Sequence, residues 1–169
     1  DGTYIADLNW EQAYDSLSVR AALEQLAVQQ AMDRLDAEEW NELCGQFQDL
    51  LDQMSDAVSR NDSVGVTELD IDWHTLLIDA ARNECLSRTW RSAGLAFLVW
   101  TEERDIFPYS QQHLGVVYDR HKDLLAALCA SDPDTCATAI YDHLFVKFDD
   151  IREWSEAGPV QEEQPETAS

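Results

Sequence analysis

From about Trp10 onward, apolar residues recur at intervals of three and four, with polar residues filling the positions between them. This is the period of amphipathic helices. Leu23, Leu26, Ala27 and Ala31 mark the inner stripe of a first helix ending near Leu35. Asp36-Ala37-Glu38-Glu39 has the form of a capping box, with Asp in the Ser/Thr position, and opens a second helix. Trp40, Leu43, Cys44, Phe47, Leu50, Leu51 and Met54 form that helix's apolar face. Asn61-Asp62-Ser63 breaks the pattern and starts a third helix to about Arg82. A fourth runs from about Cys85 to Pro108, with Trp90, Leu95, Leu98 and Trp100 inward and Pro108 closing it. A fifth spans Tyr109 to Ala130. Asp132 and Pro133 then supply an N-cap and a first helical residue for a sixth helix, which runs to about Glu153.

No strand-length alternation competes after residue 10, and there is no internal repeat. The pattern predicts an all-α antiparallel bundle with short connections. Residues 1–9 are β-prone and turn-like and stand apart from it as the remnant of something upstream. The domain covers residues 10–154, and the acidic stretch 155–169 lacks apolar residues to bury and is expected to be disordered.

The 169 residues suffice for one domain with a real core. No apolar run reaches the ~20 residues of a membrane span, and no basic start followed by an apolar stretch marks a signal peptide. A cytoplasmic location is expected. Cys44, Cys85, Cys129 and Cys136 show no CxxC spacing and are read as buried free thiols in a reducing compartment. The net charge is −23, from 34 acidic and 11 basic residues, only two of them lysines (Lys122 and Lys147). Such a surface repels phosphate backbones, so this chain alone is not expected to bind nucleic acid. The low lysine content suits either a salt-adapted or a high-GC source.

Four polar residues break the apolar stripes. On the third helix the inward set is Val66, Asp70, Trp73, His74, Leu77 and Ala81; Asp70 and His74 lie one turn apart on one face. On the fifth it is Leu114, Val117, His121, Leu124 and Leu128, and on the sixth Cys136, Ile140, His143, Leu144 and Ile151. His121 lies eleven residues before Asp132 and His143 eleven after it, so an antiparallel hairpin brings them to the same height. One buried histidine is usually a hydrogen-bonded core residue. Three with an aspartate need a common partner, and these ligand types suit a divalent metal: zinc first, with nickel, manganese or iron also compatible. His113 is off the stripe and is expected to be exposed or peripheral.

Asp70-Ile71-Asp72-Trp73-His74, with Leu77, Ala80, Asn83 and Leu86 following at intervals of three, resembles the D-x-x-[F/W]-H-x-x-L-x-x-A-x-x-N-x-x-L signature of FCD effector-binding domains. These are the FadR C-terminal domain type of the GntR family of bacterial transcription regulators. His121, Leu124, Ala127, Leu128, Asp132 and His143 resemble a second family run, and Val19-Arg20-Ala21-Ala22-Leu23-Glu24 is similar to its [IV]-R-x-x-L-E first helix. Cys136 stands where the family usually has Ala. The resemblance spans residues ~10 to ~150.

It implies a bundle of six to seven helices that senses a small organic acid. It implies metal ligation by Asp70, His74, His121 and His143. It also implies a homodimer that controls operator binding through a winged helix-turn-helix domain. Asp1-Gly2-Thr3-Tyr4-Ile5 is similar to the end of such a wing, so the chain is expected to lack the rest of that domain. Arg20 and Asn83 are the candidates for contacting an anionic effector, with pairing of Arg20 to a glutamate the competing reading. Arg88 and Arg91 are further candidates. Two rival functions remain at this level. One is a metalloenzyme, since iron and manganese superoxide dismutases also use three histidines and an aspartate. The other is a metal-free helical interaction module. The chain shows no nucleophile–base pair, so no enzymatic activity is expected.

Overall fold

A computed structural model of the protein describes residues 10–92, 113–130 and 132–157. Six helices are present among them: α1 (Trp10–Arg34), α2 (Ala37–Ser59), α3 (Ser63–Ala80), α4 (Glu84–Ser92), α5 (Leu114–Ala130) and α6 (Pro133–Ala157). No strand occurs among the described residues. The expected wing remnant, the second half of the fourth helix and residues 158–169 of the acidic tail lie outside them, whereas residues 155–157, expected to be disordered, continue α6. The sixth helix runs four residues past its expected end.

Local chemistry sets the helix ends. The Asp36 carboxylate accepts from the Glu38 and Glu39 amides at 3.0 and 2.9 Å, and Glu39 accepts in return from the Asp36 amide at 3.0 Å. This is the reciprocal box that the sequence predicts. Asp62 opens α3 by accepting from the Gly65 amide at 2.9 Å. A Cβ on Gly65 would fall 2.5 Å from the Asp62 carboxylate, so a larger residue there would make the capping side chain shift. The Asp132 carboxylate accepts from the Asp134 and Thr135 amides at the start of α6. Arg82 ends α3 with φ of 49°, a left-handed conformation that disfavours a side chain. Arg34 of α1 holds that corner by donating to the Ala81 and Arg82 carbonyls at 2.6 and 3.1 Å, and Arg82 pairs with Glu39 at 2.6 Å.

Helix α1 packs on α6 and α3, α3 on α2, α2 on α5, and α5 on α6. Helices α1, α3, α2, α5 and α6 therefore close into a ring, with the described part of α4 resting on α1 and α3. The ring interior is the apolar core, where Phe47, Trp73, Leu77, Ile78, Leu128 and Ile140 are fully buried. The Phe47 and Trp73 rings meet with centroids 4.6 Å apart, packing α2 on the helix that carries Asp70 and His74.

Two expectations are corrected here. Leu26 is 40% exposed, because the buried side of α1 runs through Leu17, Arg20, Ala21, Glu24, Ala27, Val28 and Ala31. An arginine and a glutamate occupy that inner face, which moves the stripe away from the one drawn through leucines alone. Cys44 and Cys129 are not free thiols: they form a disulfide joining α2 to α5, with Cα atoms 6.1 Å apart. Cys136 is the buried free thiol that was expected, whereas Cys85 is a free thiol but exposed rather than buried.

Candidate metal and effector site

The four predicted residues converge inside the ring. Asp70 and His74 come from α3, His121 from α5 and His143 from α6, and all four are buried. One ligand atom from each lies within 4.8 Å of every other. Donors about 2.1 Å from a tetrahedral ion stand about 3.4 Å apart, so a pair at the full 4.8 Å has to close by about 1.4 Å. The His121 ring stands 4.6 Å from His143 and 5.9 Å from His74, centroid to centroid, and His74 stands 5.4 Å from His143. This meeting of α5 and α6 matches the height that the sequence assigns to the two histidines about Asp132.

Two of the imidazoles are oriented from behind. His121 Nδ1 lies 2.8 Å from the Val117 carbonyl, an acceptor, so Nδ1 carries the proton and Nε2 faces Asp70 Oδ1 at 2.9 Å. His74 Nδ1 lies 2.6 Å from Glu24 Oε2, and its Nε2 is 3.6 Å from Asp70 Oδ1. His74 Nε2 has no hydrogen-bond partner among the described residues, although the ring is fully buried. Such an orphan costs about 1–3 kcal/mol unless something binds it. A divalent cation at this point would take up the Nε2 lone pairs and the Asp70 charge together, so the residues present fit a metal. The Trp73 indole N–H is a second buried group without an acceptor among the described residues.

Glu24 is the participant that sequence reasoning missed. It is fully buried and accepts from Arg20 Nε at 2.6 Å and from Trp90 Nε1 at 3.2 Å, in addition to its contact with His74. Burial alone would raise its pKa, but the charge of Arg20 and the hydrogen bonds from Arg20 and His74 outweigh burial and hold it at about 2. The signal was available: Arg20 and Glu24 sit four apart on one helix face, within the segment that resembles the family's first helix.

The other candidates divide. Arg20 is 4% exposed and close to the cluster through Glu24. Asn83 is not brought into it: its carbonyl oxygen caps α4 by accepting from Cys85 and Leu86, and its amide donates to Gln30 at 2.9 Å. Arg91 is engaged by Asp79, with both carboxylate oxygens at 2.7 Å. With Arg88 it lines an open cleft of about 870 Å³ at the α3–α4 corner, which shares no residue with the buried cluster. His113, just before α5, is half-buried and is not among the four.

Fold and site together define an all-α domain built around an interior polar cluster, made of residues from helices distant in sequence. The FCD domain model matches residues 15–145, and the chain belongs to that family. It is thus an effector-binding regulatory domain rather than an enzyme. The solved structure of E. coli McbR/YncC, a GntR-family regulator, is similar to it in fold, with a TM-score of 0.69 at 16% identity. That similarity covers 88% of this chain and 68% of the other. Among curated protein sequences, none matches the chain. No helix among the described residues is long and apolar enough to cross a membrane.

Proposed function

We propose that this domain is the sensor of a GntR-type transcription regulator. In this reading it binds one divalent ion through Asp70, His74, His121 and His143, zinc being the first choice and nickel, manganese or iron the alternatives. The observation that carries it is the meeting of four buried donor atoms within 4.8 Å. Four protein ligands leave further positions on an octahedral ion, and a small carboxylate metabolite is the effector that such positions would accept. Arg20 supplies a buried positive charge next to the cluster and is the side chain proposed to meet the effector's second anionic group. Asn83 is the weaker partner, since capping α4 engages its amide.

Effector binding regulates only if it favours one arrangement of the regulator over another. The proposed readout is the geometry of a homodimer and, through it, operator binding by a winged helix-turn-helix domain. The acidic surface of this chain leaves phosphate contacts to that domain.

The test is elemental mass spectrometry on protein purified without chelators or a polyhistidine tag, with His121→Ala and His113→Ala alongside. About one ion per chain in the parent and in His113→Ala, with loss in His121→Ala, is the expected result. Calorimetric screening of small carboxylates against the loaded protein follows. An absence of ion in the parent, even after adding zinc, nickel or manganese, would overturn the ligand assignment and leave a hydrogen-bonded polar cluster.

A further inference from the structure

Glu24 divides its two oxygens between two tasks. Oε1 accepts from Arg20 Nε at 2.6 Å and from Trp90 Nε1 at 3.2 Å. Oε2 meets His74 Nδ1 at 2.6 Å. The donors on Oε1 come from two different helices, α1 and α4, so the carboxylate plane is fixed from outside the cluster before His74 is considered. The oxygen left over points at one ring nitrogen of one ligand. Both side chains of this contact are fully buried, so water does not compete for it.

We infer that Glu24 is a positioning residue for the metal site: it fixes the tautomer and ring orientation of His74 so that Nε2 is aimed at the ion. A carboxylate can only accept here, which places the proton on Nδ1 and the lone pair on Nε2. An accepted proton also makes the imidazole a better donor to a cation, and outer partners of this kind are worth about 10- to 100-fold in metal affinity. His121 is oriented by a different device, the Val117 carbonyl of its own helix, which comes with α5 itself. His74 Nδ1 turns instead to a carboxylate about 50 residues away in sequence, and its orientation depends on that carboxylate. The site is therefore assembled from α1 and α4 as well as from the helices that carry its ligands. Trp90 takes part as the indole donor that steadies Glu24, a role distinct from its place in the core.

The inference rests on the metal reading above, and its test keeps the two separate. Histidine ring ¹⁵N labelling gives signals from four residues, assigned by single substitutions. In both the metal-free and the zinc-titrated parent, His74 is expected to carry an Nδ1 proton shifted downfield by its carboxylate acceptor. A His74 ring protonated on Nε2 alone, or bound to zinc through Nδ1, would overturn the inference without any variant. Glu24→Gln, whose amide can donate as well as accept, is expected to lose that downfield proton. It is also expected to bind zinc about 10- to 100-fold more weakly in a competition titration while keeping its helical circular dichroism. Trp90→Phe, which keeps the ring and removes the donor, shifts zinc affinity in the same direction by less. Unchanged zinc affinity in a folded Glu24→Gln overturns the inference. If the parent takes up no zinc, the metal reading fails, and the metal-free proton spectrum decides on Glu24 alone. If Glu24→Gln does not fold, the parent spectrum decides.

Discussion

Zinc is expected to stabilise the folded domain strongly, because the unfolded chain makes a poor ligand. The donors are four residues apart on α3, then separated by segments of roughly 50 and roughly 20 residues. Drawing those segments together costs an unfolded chain (3/2)RT ln n, which comes to about 3.5 and about 2.7 kcal/mol. Together they weaken capture by the unfolded state by about four powers of ten. The folded state has already met that cost and needs a closure of about 1.4 Å in its widest pair. Simple linkage then applies. At free zinc one hundred times the dissociation constant the gain is about 2.7 kcal/mol. At about 2–4 °C per kcal/mol for a chain of this size, the melting temperature rises by about 5–11 °C. Each further tenfold in zinc adds about 1.4 kcal/mol. The assay is thermal melting by circular dichroism in a zinc-buffered series, with Asp70→Ala as the comparison. A melting temperature that ignores zinc in the parent would refute the reasoning. So would an equal rise in Asp70→Ala, which would place the zinc elsewhere.

Three further outcomes are expected. In native protein a thiol reagent at pH 8 titrates Cys85 alone; Cys136 joins it on denaturation and Cys44 and Cys129 only after reduction. Burial, with the nearby Asp132 charge, pushes the Cys136 thiol up to about 11, so little thiolate exists below that pH, and rapid native labelling of Cys136 would contradict the packing. Phe47→Ala removes the ring that backs Trp73 and is expected to cost about 3–5 kcal/mol in urea unfolding; a loss under 1 kcal/mol would mean that α2 does not brace α3. With a net charge of −23, melting temperature rises from ~10 mM to ~1 M sodium chloride as the screening length falls from ~30 to ~3 Å, whereas a flat response would show that self-repulsion is unimportant.

What was legible in the sequence followed from periodicity. On α3 and α5 every residue assigned inward is buried, polar ones included, because a single helical period places each residue without reference to its neighbours. The pairing of His121 with His143 needed one further step, equal distance from a helical turn, and that too is local arithmetic. Leu26 failed because hydrophobicity was allowed to define the inner face of α1, when Arg20 and Glu24 define it equally well once they pair. Glu24 was thus quoted in a motif but not placed in the site. The Cys44–Cys129 pairing was beyond reach: it depends on how α2 and α5 register against each other, and no spacing rule reports contact between residues 85 positions apart. The end of α3 shows the same limit, since the left-handed Arg82 is held by side chains from α1 and α2.

The disulfide gives the ring of helices unequal seams. Where α2 meets α5 a covalent bond fastens the wall, so those two helices cannot part at that point while it is intact. Where α5 meets α6 the described residues pack without such a bond, and His121 and His143 face each other across the gap. A closed hoop riveted at one joint yields at another. The seams α1–α3, α2–α3, α5–α6 and α1–α6 carry no such bond among the described residues. The rivet confines any opening of the hoop to those four unbonded seams.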